Sequence, residues 1–443
     1  MNATTALLPV EVTCDAVGLT SRAGTAALTA LADRVGLTNA LTDGLSCLFS
    51  RRVAHEPGRI ARDVAVMLAD GGDALCDLGV LRDQPTLFGH VASSSTAHRF
   101  LHRMDAAALT RVRNARARAR KNVWGIAETP RRVVLDIDAT LVTSHSEKEG
   151  AAGTYKRGFR FHPLVCFEAS TGEGLSGILR PGNAGSNTAK DHIEVLALSL
   201  DQLPEGAIGP GTLVRCDSGG ATHAFLDAVV ACGLSFSVGL DATKSVREAC
   251  LAVPGDAWRP ALAANDEVRD GAAVAELKLD MVARGWPEGT RAICRRERPH
   301  PGAQLTFSDI DGHRFQVFIT NQKGRRIARL EQLHRRRAAV EDSIRCAKAT
   351  GLRNLPCHGF AANAAWLELV LMGCDLLAWT RMLLLESTGL AAAEPKRLRY
   401  RLLHVAARIV TGSRRIRLRL PHDWPWAAAI ATAFARLRAL PRL

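Results

Sequence analysis

The sequence has few of the features that cross-link a chain or mark a metal ribbon. Its eleven cysteines stand singly among 443 residues and none forms a Cys-x-x-Cys pair, so a zinc ribbon is not expected. An odd number of cysteines in mostly apolar surroundings is typical of reduced thiols in the cytosol. Aromatic residues make up only 5%, and tyrosine occurs twice. The core is therefore expected to be largely aliphatic.

Signals for targeting, membranes and nucleotides are also lacking. The N-terminal segment MNATTALLPVEVTCDAVG has neither a basic stretch nor a long apolar core, so no signal peptide is predicted. The most apolar stretch, residues 364–385, carries Glu368, Asp375 and Arg381 and is predicted to be a buried helix rather than a membrane span. No Gly-x-Ser-x-Gly elbow of a serine hydrolase occurs, and no glycine-rich nucleotide loop is recognised. We expect a cytosolic protein without membrane contact or nucleotide cofactor.

What the sequence has in excess is positive charge. The formal net charge is +14 and the pI is about 9.7, and the cations recur along the chain rather than in one tail. This distribution favours a polyanionic partner, with nucleic acid ahead of a membrane surface. A basic soluble protein without such a partner is the alternative.

Residues 1–125 are predicted to form an all-helical domain, because apolar residues recur there at helical spacing. The domain ends in the cationic run TRVRNARARARK, whose charged members are Arg111, Arg113, Arg116, Arg118, Arg120 and Lys121. This run is either a solvated helix face or a direct contact to DNA. We interpret the whole block as a DNA-binding domain that resembles a helix-turn-helix.

The remaining chain alternates between strand and helix patterns. In residues 126–243 three apolar strands come first, and then helices and strands alternate, which is the element order of an RNase H-like fold. Residues 244–323 are predicted to be a β-rich insertion with a hairpin at Asp311-Gly312. Residues 324–390 return to the core with one long helix, and residues 391–443 form a basic helical region. The predicted class is therefore α/β, with an RNase H-like (retroviral integrase superfamily) catalytic core.

Acids occur where this core would place chemistry. Asp138 lies in a buried strand in DIDAT, Asp217 ends another strand in RCDSGG, and Glu341 lies on the long helix. A carboxylate in a central strand is costly unless it is paired or binds a metal. Asp136 points to the same face as Asp138, so it is an alternative first acid. An ion-paired or capping role is the simpler reading of any one of these acids, but not of all three together.

The long helix contains the segment LHRRRAAVEDSIRCAK, residues 333–348. Relative to Glu341, His334 is at −7, Arg337 at −4 and Lys348 at +7, so on a continuous helix they fall within about 60° of one another. One stripe would then carry a carboxylate for a metal between cations for phosphates. A solvated face with local ion pairs is the alternative.

These motifs resemble the DDE transposases of bacterial cut-and-paste insertion sequences, most closely the insertion sequence thirteen-eighty type of the four-type superfamily. The family signature Tyr-x2-Arg-x3-Glu-x6-Lys is matched by His334-x2-Arg337-x3-Glu341-x6-Lys348, with His in place of Tyr. The Asp-x-Thr of the first acid matches Asp138-Ala139-Thr140, and the second acid matches Asp217. The resemblance covers residues 50–385 or so.

The resemblance implies a transposase that cleaves and rejoins DNA at terminal inverted repeats in the bacterial cytosol. Asp138, Asp217 and Glu341 would be catalytic and hold two Mg²⁺ ions, with Mn²⁺ as a substitute, and Asp138 would bridge them. His334, Arg337 and Lys348 would bind DNA phosphates. Trp258 and Trp286 in the insertion are candidates for stacking on a flipped base, with core packing as the commoner role. Terminal and target DNA would be the partners of a homodimer.

Two further interpretations remain open at this stage. An RNase H-like nuclease without strand transfer would need the same acids, so the sequence does not separate it from a transposase. A catalytically silent DNA-binding relic would have no need of the acids, and their presence argues against it.

Overall fold

The computed structural model describes residues 11–49, 53–127, 129–153, 158–185, 187–299, 302, 309–310, 312–324 and 326–443. Its α-helices are α1 Thr25–Arg34, α2 Leu37–Leu45, α3 Pro57–Asp70, α4 Gly79–Arg82, α5 Pro85–Phe88, α6 Ser94–Leu101, α7 Ala106–Ile126, α8 Ala189–Leu200, α9 His223–Ala231, α10 Lys244–Leu251, α11 Ile327–Arg335, α12 Ala339–Ala347, α13 Phe360–Trp379, α14 Pro395–Leu398 and α15 Ala427–Ala439. Its strands are β1 Leu19–Thr20, β2 Val134–Ala139, β3 Val142–Ser144, β4 Ala152–Gly153, β5 Phe159–Phe161, β6 Leu164–Glu168, β7 Gly174–Ile178, β8 Leu213–Cys216, β9 Ser235–Leu240, β10 Arg259–Leu262, β11 Val268–Glu276, β12 Arg291–Glu297, β13 Asp309–Ile310, β14 His313–Thr320, β15 Ala407–Gly412 and β16 Arg415–Arg419.

A mixed sheet forms the centre of the molecule. Its strand order is β10-β11-β12-β14-β9-β8-β2-β6-β7, with β13 paired to β14. Strands β2, β6 and β7 pair antiparallel, whereas β8 runs parallel to β2 and β9 parallel to β8. Helix α8 connects β7 to β8 and α9 connects β8 to β9. Within the central sheet, the predicted order of three strands followed by alternating helices and strands is confirmed. Strands β3, β4 and β5, which lie between β2 and β6 in the chain, form a separate small sheet that was not predicted.

The insertion is β-rich as predicted, but its strands extend the central sheet instead of forming a separate layer. Strand β14 pairs antiparallel with β9, with Val317 opposite Leu240. Ile310 lies opposite His313 and Gly312 has φ +73°, so a tight hairpin occurs at the predicted position. Most of the predicted strand QLTFSDI lies outside the described residues.

The N-terminal segment is helical as predicted, but it does not form a core of its own. Helix α13 is apolar on all sides, so it must be covered on all sides to be buried. Helix α3 packs on one side of α13 and strand β7 on another. Leu68 of α3 and Leu369 of α13 belong to a single apolar core that continues through the sheet. No boundary in packing occurs near residue 125.

Helix α13 is also the one helix in the described part of the chain that is long and apolar enough to cross a membrane. Together with its π-helical continuation it spans Phe360–Leu384, and 83% of its most apolar window is buried inside the protein. Burial of this kind is what the core helix of a soluble protein shows, and it agrees with the prediction of a buried helix.

Half of the cationic run on α7, namely Arg113, Arg116 and Arg120, belongs to an internal ion-pair network. The two interpretations of the run from sequence are both wrong for Arg116 and Arg120. These two guanidinium groups are fully buried. Arg116 Nε and Arg120 Nη2 lie 3.0 and 2.7 Å from Oδ2 of Asp375 on α13, and Arg120 Nε lies 2.9 Å from Oε1 of Glu173. The arginines point inward because α13 supplies buried carboxylates that require partners.

The basic C-terminal region is not wholly helical, which corrects the prediction for residues 391–443. Strands β15 and β16 form a hairpin before α15, and β15 pairs with β1 near the other end of the chain. The segment RIRLR alternates charged and apolar residues with a period of two, which favours a strand over a helix. A charge count alone does not detect this alternation.

Candidate active site

The first two predicted acids are brought together by parallel strands. In the pairing of β2 with β8, Val134 lies opposite Leu213 and Asp136 opposite Arg215. The same register two residues further on places Asp138 beside Asp217, where both strands reach the same edge of the sheet. The Asp217 carboxylate accepts a hydrogen bond of 3.0 Å from the amide of Gly219 in the turn that follows. Both side chains therefore lie at the carboxyl ends of adjacent strands.

Asp136, the alternative first acid, is occupied by a structural partner. Its carboxylate receives two hydrogen bonds from Arg215, 2.6 Å from Nε and 2.7 Å from Nη2. Asp136 and Arg215 are both buried, with 1% and 3% of their surface exposed. The remaining Arg215 nitrogen donates to the carbonyl of Leu333 at 2.6 Å, so this pair connects the sheet to α11. Asp136 is thereby buried away from solvent, two residues before Asp138 on β2.

Asp138 has an unusual electrostatic setting. Burial, followed by the negative charge of Asp217, raises its pKa to about 6, and Glu341 contributes in the same direction. Arg337 opposes these effects, with its Nη1 atom 3.6 Å from Asp138 Oδ2. A carboxylate whose pKa is raised by two other carboxylates lies in a shared negative field. The negative charges of Asp217 and Glu341 therefore both act on Asp138.

The helix that carries the third acid is continuous from Ile327 to Ala347, as predicted, but its geometry is not α-helical throughout. Helices α11 and α12 are separated by a 3-10 turn at Arg336–Ala338. A 3-10 turn has about three residues per turn, so it changes the angular relation between residues on its two sides. The predicted single stripe is thus interrupted: Arg337 lies in the turn and reaches Asp138, whereas Glu341 is exposed on the first turn of α12.

His334 is held inside the protein. Its ring stacks on Phe318 with centroids 4.3 Å apart and an interplanar angle of 4°, and its Nδ1 atom lies 3.0 Å from the Ser237 hydroxyl. Burial, and then the positive charges of Arg337 and Arg215, lowers the pKa of His334 to about 3. The imidazole is therefore neutral at physiological pH, with its contacts on β9 and β14.

Lys348, the other predicted phosphate-binding residue, follows α12 directly. It is half-buried, and burial lowers the pKa of its ammonium group. The helix continues past it as a π-helical turn, Lys348–Leu352, in which Gly351 has φ +102°. Lys348 and Glu341 both follow the 3-10 turn at Arg336–Ala338. They are seven residues apart and therefore lie on the same side of the helix, as predicted.

The two tryptophans of the insertion occupy different surroundings. Trp258 is 9% exposed, and the guanidinium of Arg296 lies 4.1 Å from its ring centroid. Trp286 is half-buried and packs edge-on against His223 at a centroid distance of 4.3 Å. Of the two, Trp286 has the greater exposure.

A groove of about 490 Å³ opens beside the acids. Its lining includes Asp217, Arg295, Arg335 and Arg337, so it combines one of the acids with several guanidinium groups. Within the described ranges, no three Asp, Glu, His or Cys side chains come close enough to share one metal ion. The carboxylate oxygens suit a hard divalent cation in kind, and the charge repulsion at Asp138 is what such a cation would relieve. The carboxylate oxygens are thus suitable ligands for a divalent cation, but the side chains would have to move closer together to bind the same ion.

Sequence reasoning missed Arg215 and Ser237, which hold Asp136 and His334 in place. Arg215 carried a usable signal, because it precedes Asp217 by two residues and so points to the same face of the sheet. A buried arginine on that face requires an acid, and Asp136 is the one on the neighbouring strand. Ser237 carried no signal, because a serine within an apolar strand has many possible partners.

The comparison with known protein families identifies the chain. Residues 4–442 match the family described as Transposase DDE domain group 1, and the chain belongs to this family. The recognition of a DDE transposase from its motifs is confirmed at this level. Membership implies a DNA-cleaving and strand-transferring enzyme with DNA as its partner. DDE domains generally use divalent metal ions.

Among solved structures, the chain is similar to the piggyBac transposase in a cryo-EM synaptic complex with hairpin DNA. The identity is 10%, the match covers 85% of this chain and 78% of that chain, and the TM-score is 0.44. No curated protein matches this sequence.

Proposed function

We propose that this protein catalyses cut-and-paste transposition of a bacterial insertion sequence of the thirteen-eighty type, acting in the cytosol on terminal inverted repeats. The observation that carries the proposal is the meeting of the acids at one edge of the sheet: the register of β2 with β8 places Asp138 beside Asp217, and Arg337 of the Glu341-bearing helix lies 3.6 Å from Asp138. Burial, and then the charges of Asp217 and Glu341, raise the pKa of Asp138. Perturbed carboxylates of this kind are typical of functional sites, and a bound cation would relieve their repulsion.

The catalytic core is proposed to be RNase H-like. Supporting this are the antiparallel strands β2, β6 and β7 and the parallel strands β8 and β9 on the other side of β2. The acids stand on the first strand of the set, after the fourth, and on a later helix. The pairing of β14 with β9 then makes the insertion a continuation of the catalytic sheet.

Asp138, Asp217 and Glu341 would hold the metal, which we propose to be Mg²⁺, with Mn²⁺ as a substitute. Two such ions, when bound, stabilise the attacking and leaving oxygens of an in-line displacement at phosphorus. Asp138 is influenced by the charges of both other acids, and we propose that it would take part in holding the metal together with each of them. Glu341 is exposed on α12, so its side chain is free to turn towards the strand ends.

The cations around the acids would position DNA. Arg337 already lies against Asp138 and would move from that carboxylate to a phosphate oxygen when the cation arrives. Lys348 would hold a second phosphate along α12. His334 would fix the position of the helix that carries Arg337, since its ring is held by Ser237 and Phe318 of the central sheet. With Arg337 so placed, attack by water would free the 3′ end of the element, and attack by that 3′-OH on target DNA would follow.

Partners follow from the same proposal. The +14 charge supports binding of both terminal and target DNA. A homodimer is proposed because two ends must be held together for concerted joining. Trp286, the more exposed tryptophan of the insertion, is the better candidate for stacking on an unpaired base.

The proposal is tested with purified protein, labelled duplex carrying the ends of its own element, and a target plasmid, with and without Mg²⁺. The expected product is an end joined to the plasmid through its 3′-OH, formed by the wild type and not by Glu341→Ala. Nicking without joined product would instead establish a nuclease. Binding without nicking in any divalent metal would establish a DNA-binding relic.

A further inference from the structure

The C-terminal hairpin carries a concentration of positive charge that the catalytic site does not use. Between Glu394 and Asp423 the sequence has no carboxylate. The cations in this interval are Lys396, Arg397, Arg399, Arg401, Arg408, Arg414, Arg415, Arg417 and Arg419. More than half of them lie on β15, on β16 or in the turn between these strands.

The register of the hairpin sorts these arginines onto one face. Arg408 lies directly opposite Arg419, Val410 opposite Arg417 and Gly412 opposite Arg415. Residues that are directly opposite, and residues two apart on one strand, share a face of the sheet. The face defined by Arg408, Arg415, Arg417 and Arg419 is named the arginine face, and all four of its arginines are exposed. The opposite face contains Ile409 and Leu418, which are half-buried.

The arginine face has no neutralising acid in the part of the chain that the structure describes. Within the described residues, none of its four arginines has an ion-pair partner. Arg408 and Arg419 stand directly across from each other, and like charges in that position destabilise a strand pair. An arrangement that is unfavourable in the free protein becomes favourable when an anion binds between the two guanidinium groups.

The turn of the hairpin adds another arginine at a conformational cost. Ser413 and Arg414 have φ values of +50° and +59°, in the left-handed region that two-residue hairpins require and that Asn-Gly fills most easily. Arg414 occupies that position and is exposed at the tip.

The base of the hairpin is firmly anchored. The amide of Ile409 donates to the carbonyl of Gly18 at 2.6 Å, and β15 pairs with β1. Trp424, which follows β16, donates through its indole nitrogen to the carbonyl of Arg401 at 3.1 Å. The two strands therefore project from a fixed base and present the arginine face as a rigid surface.

We propose that this hairpin is a second DNA-binding surface, in which the arginine face enters the major groove of duplex DNA and contacts its phosphates. The major groove is about 12 Å wide and admits a two-stranded β-ribbon. Arginines two residues apart on β16 are spaced by about 7 Å, so one strand can contact successive phosphates. The proposal rests on the proposed function, since it assumes that the enzyme acts on duplex DNA.

The test measures affinity for a non-specific duplex as a function of salt concentration. The variant replaces Arg408, Arg415, Arg417 and Arg419 by Gln. Loss of four phosphate contacts should weaken binding by at least about tenfold at 0.15 M salt and reduce the slope of log K against log salt by about 2–4. The corresponding Arg→Lys variant should keep most of the slope, because lysine retains the point charge.

A matched control removes the same charge from arginines that already have acidic partners: Arg82, Arg269, Arg329 and Arg353, each changed to Gln. It should bind nearly as the wild type does. Equal weakening in the control, or an unchanged slope in the hairpin variant, would overturn the proposal. The proposal would also be overturned if the hairpin variant aggregates while its monomeric fraction binds DNA with wild-type affinity. The arginines would then serve to prevent association through the exposed strand edge, as charged residues on edge strands do.

Failure of this proposal is distinguishable from failure of the proposed function. If the wild type nicks and joins element ends while the hairpin variant binds DNA unchanged, only the hairpin proposal falls. If the wild type binds no duplex at all, the proposed function falls first. Preference of the arginine face for anionic lipid vesicles or for RNA over duplex DNA would also overturn the proposal.

Discussion

Arg337 Nη1 lies 3.6 Å from Asp138 Oδ2, so the cation of the third-acid helix pairs with the acid of the first strand. The contact joins the turn between α11 and α12 to β2, and Glu341 is not part of it. In the proposed mechanism a metal ion would replace this guanidinium group at the Asp138 carboxylate, and a DNA phosphate would replace the carboxylate at Arg337. The pair therefore offsets part of the negative charge at Asp138.

Replacing Arg337 by Gln should impair the chemistry more than the binding of DNA. A positioned cation next to the reacting phosphate stabilises charge in the transition state, and its removal typically costs about 10²–10³-fold in rate. Nicking of element ends at saturating Mg²⁺ is the measurement, with affinity determined in parallel. Arg336→Gln, an exposed neighbour in the same turn, is the control and should keep its rate. A normal rate for Arg337→Gln would mean that the residue acts only as a counter-ion in the free protein.

Asp136 and Asp138 should respond to substitution in opposite ways. Asp136→Ala leaves the buried Arg215 without its carboxylate partner, which costs about 3–5 kcal/mol in the free energy of unfolding. Asp138→Asn removes a carboxylate whose pKa is raised by burial and then by the charge of Asp217, so the fold should be as stable or more stable while activity is lost. Denaturant unfolding of both variants is the check. Large destabilisation by Asp138→Asn would assign the first acid a structural role.

The buried network between α7 and α13 should dominate the stability of the helical half. Asp375→Ala leaves Arg116 and Arg120 without a shared carboxylate, and breaking a buried pair in this way costs about 3–5 kcal/mol. Asp342→Ala, an acid exposed on α12, should change the stability by no more than about 0.5 kcal/mol. Equal effects of the two substitutions in urea unfolding would contradict the network's role.

His334 should make the protein less stable in mild acid. Its pKa in the folded state is about 3, below the ordinary value of 6.5, so the unfolded chain binds the proton first as the pH falls. The stability from this group is therefore present at neutral pH and is lost as the pH falls below about 6.5. Between pH 7 and 5 the loss amounts to roughly 2 kcal/mol, at about 1.4 kcal/mol for each pH unit below 6.5.

The variant His334→Gln should lose this part of the pH dependence, whereas replacement of the exposed His422 by Gln should not. Unfolding free energies of the three proteins at pH 7, 6 and 5 give the comparison. If wild type and His334→Gln share one pH profile, the imidazole is accessible to protons in the folded state.

The sequence predicts the catalytic sheet well because its signals are local. Strands β2 and β8 are short apolar runs, and the acids at their ends follow from strand periodicity alone. What it does not predict depends on partners distant in the chain. The burial of Arg116 is decided by Asp375, 259 positions away, and the strand character of residues 407–419 is supported by pairing with β1. The 3-10 turn between α11 and α12 contains neither proline nor glycine, so the sequence carries no local signal for it.

The central claim is that Asp138, Asp217 and Glu341 form one metal-dependent site, and the most direct test is single-turnover nicking of element-end DNA at saturating Mg²⁺. Asp138→Asn, Asp217→Asn and Glu341→Gln should each reduce the rate by at least about 10³-fold while DNA binding persists. Asp342→Asn, next to Glu341 and paired with Arg345 on the surface, should nick at the wild-type rate. Wild-type nicking by any of the three variants would contradict the account and remove that acid from the site.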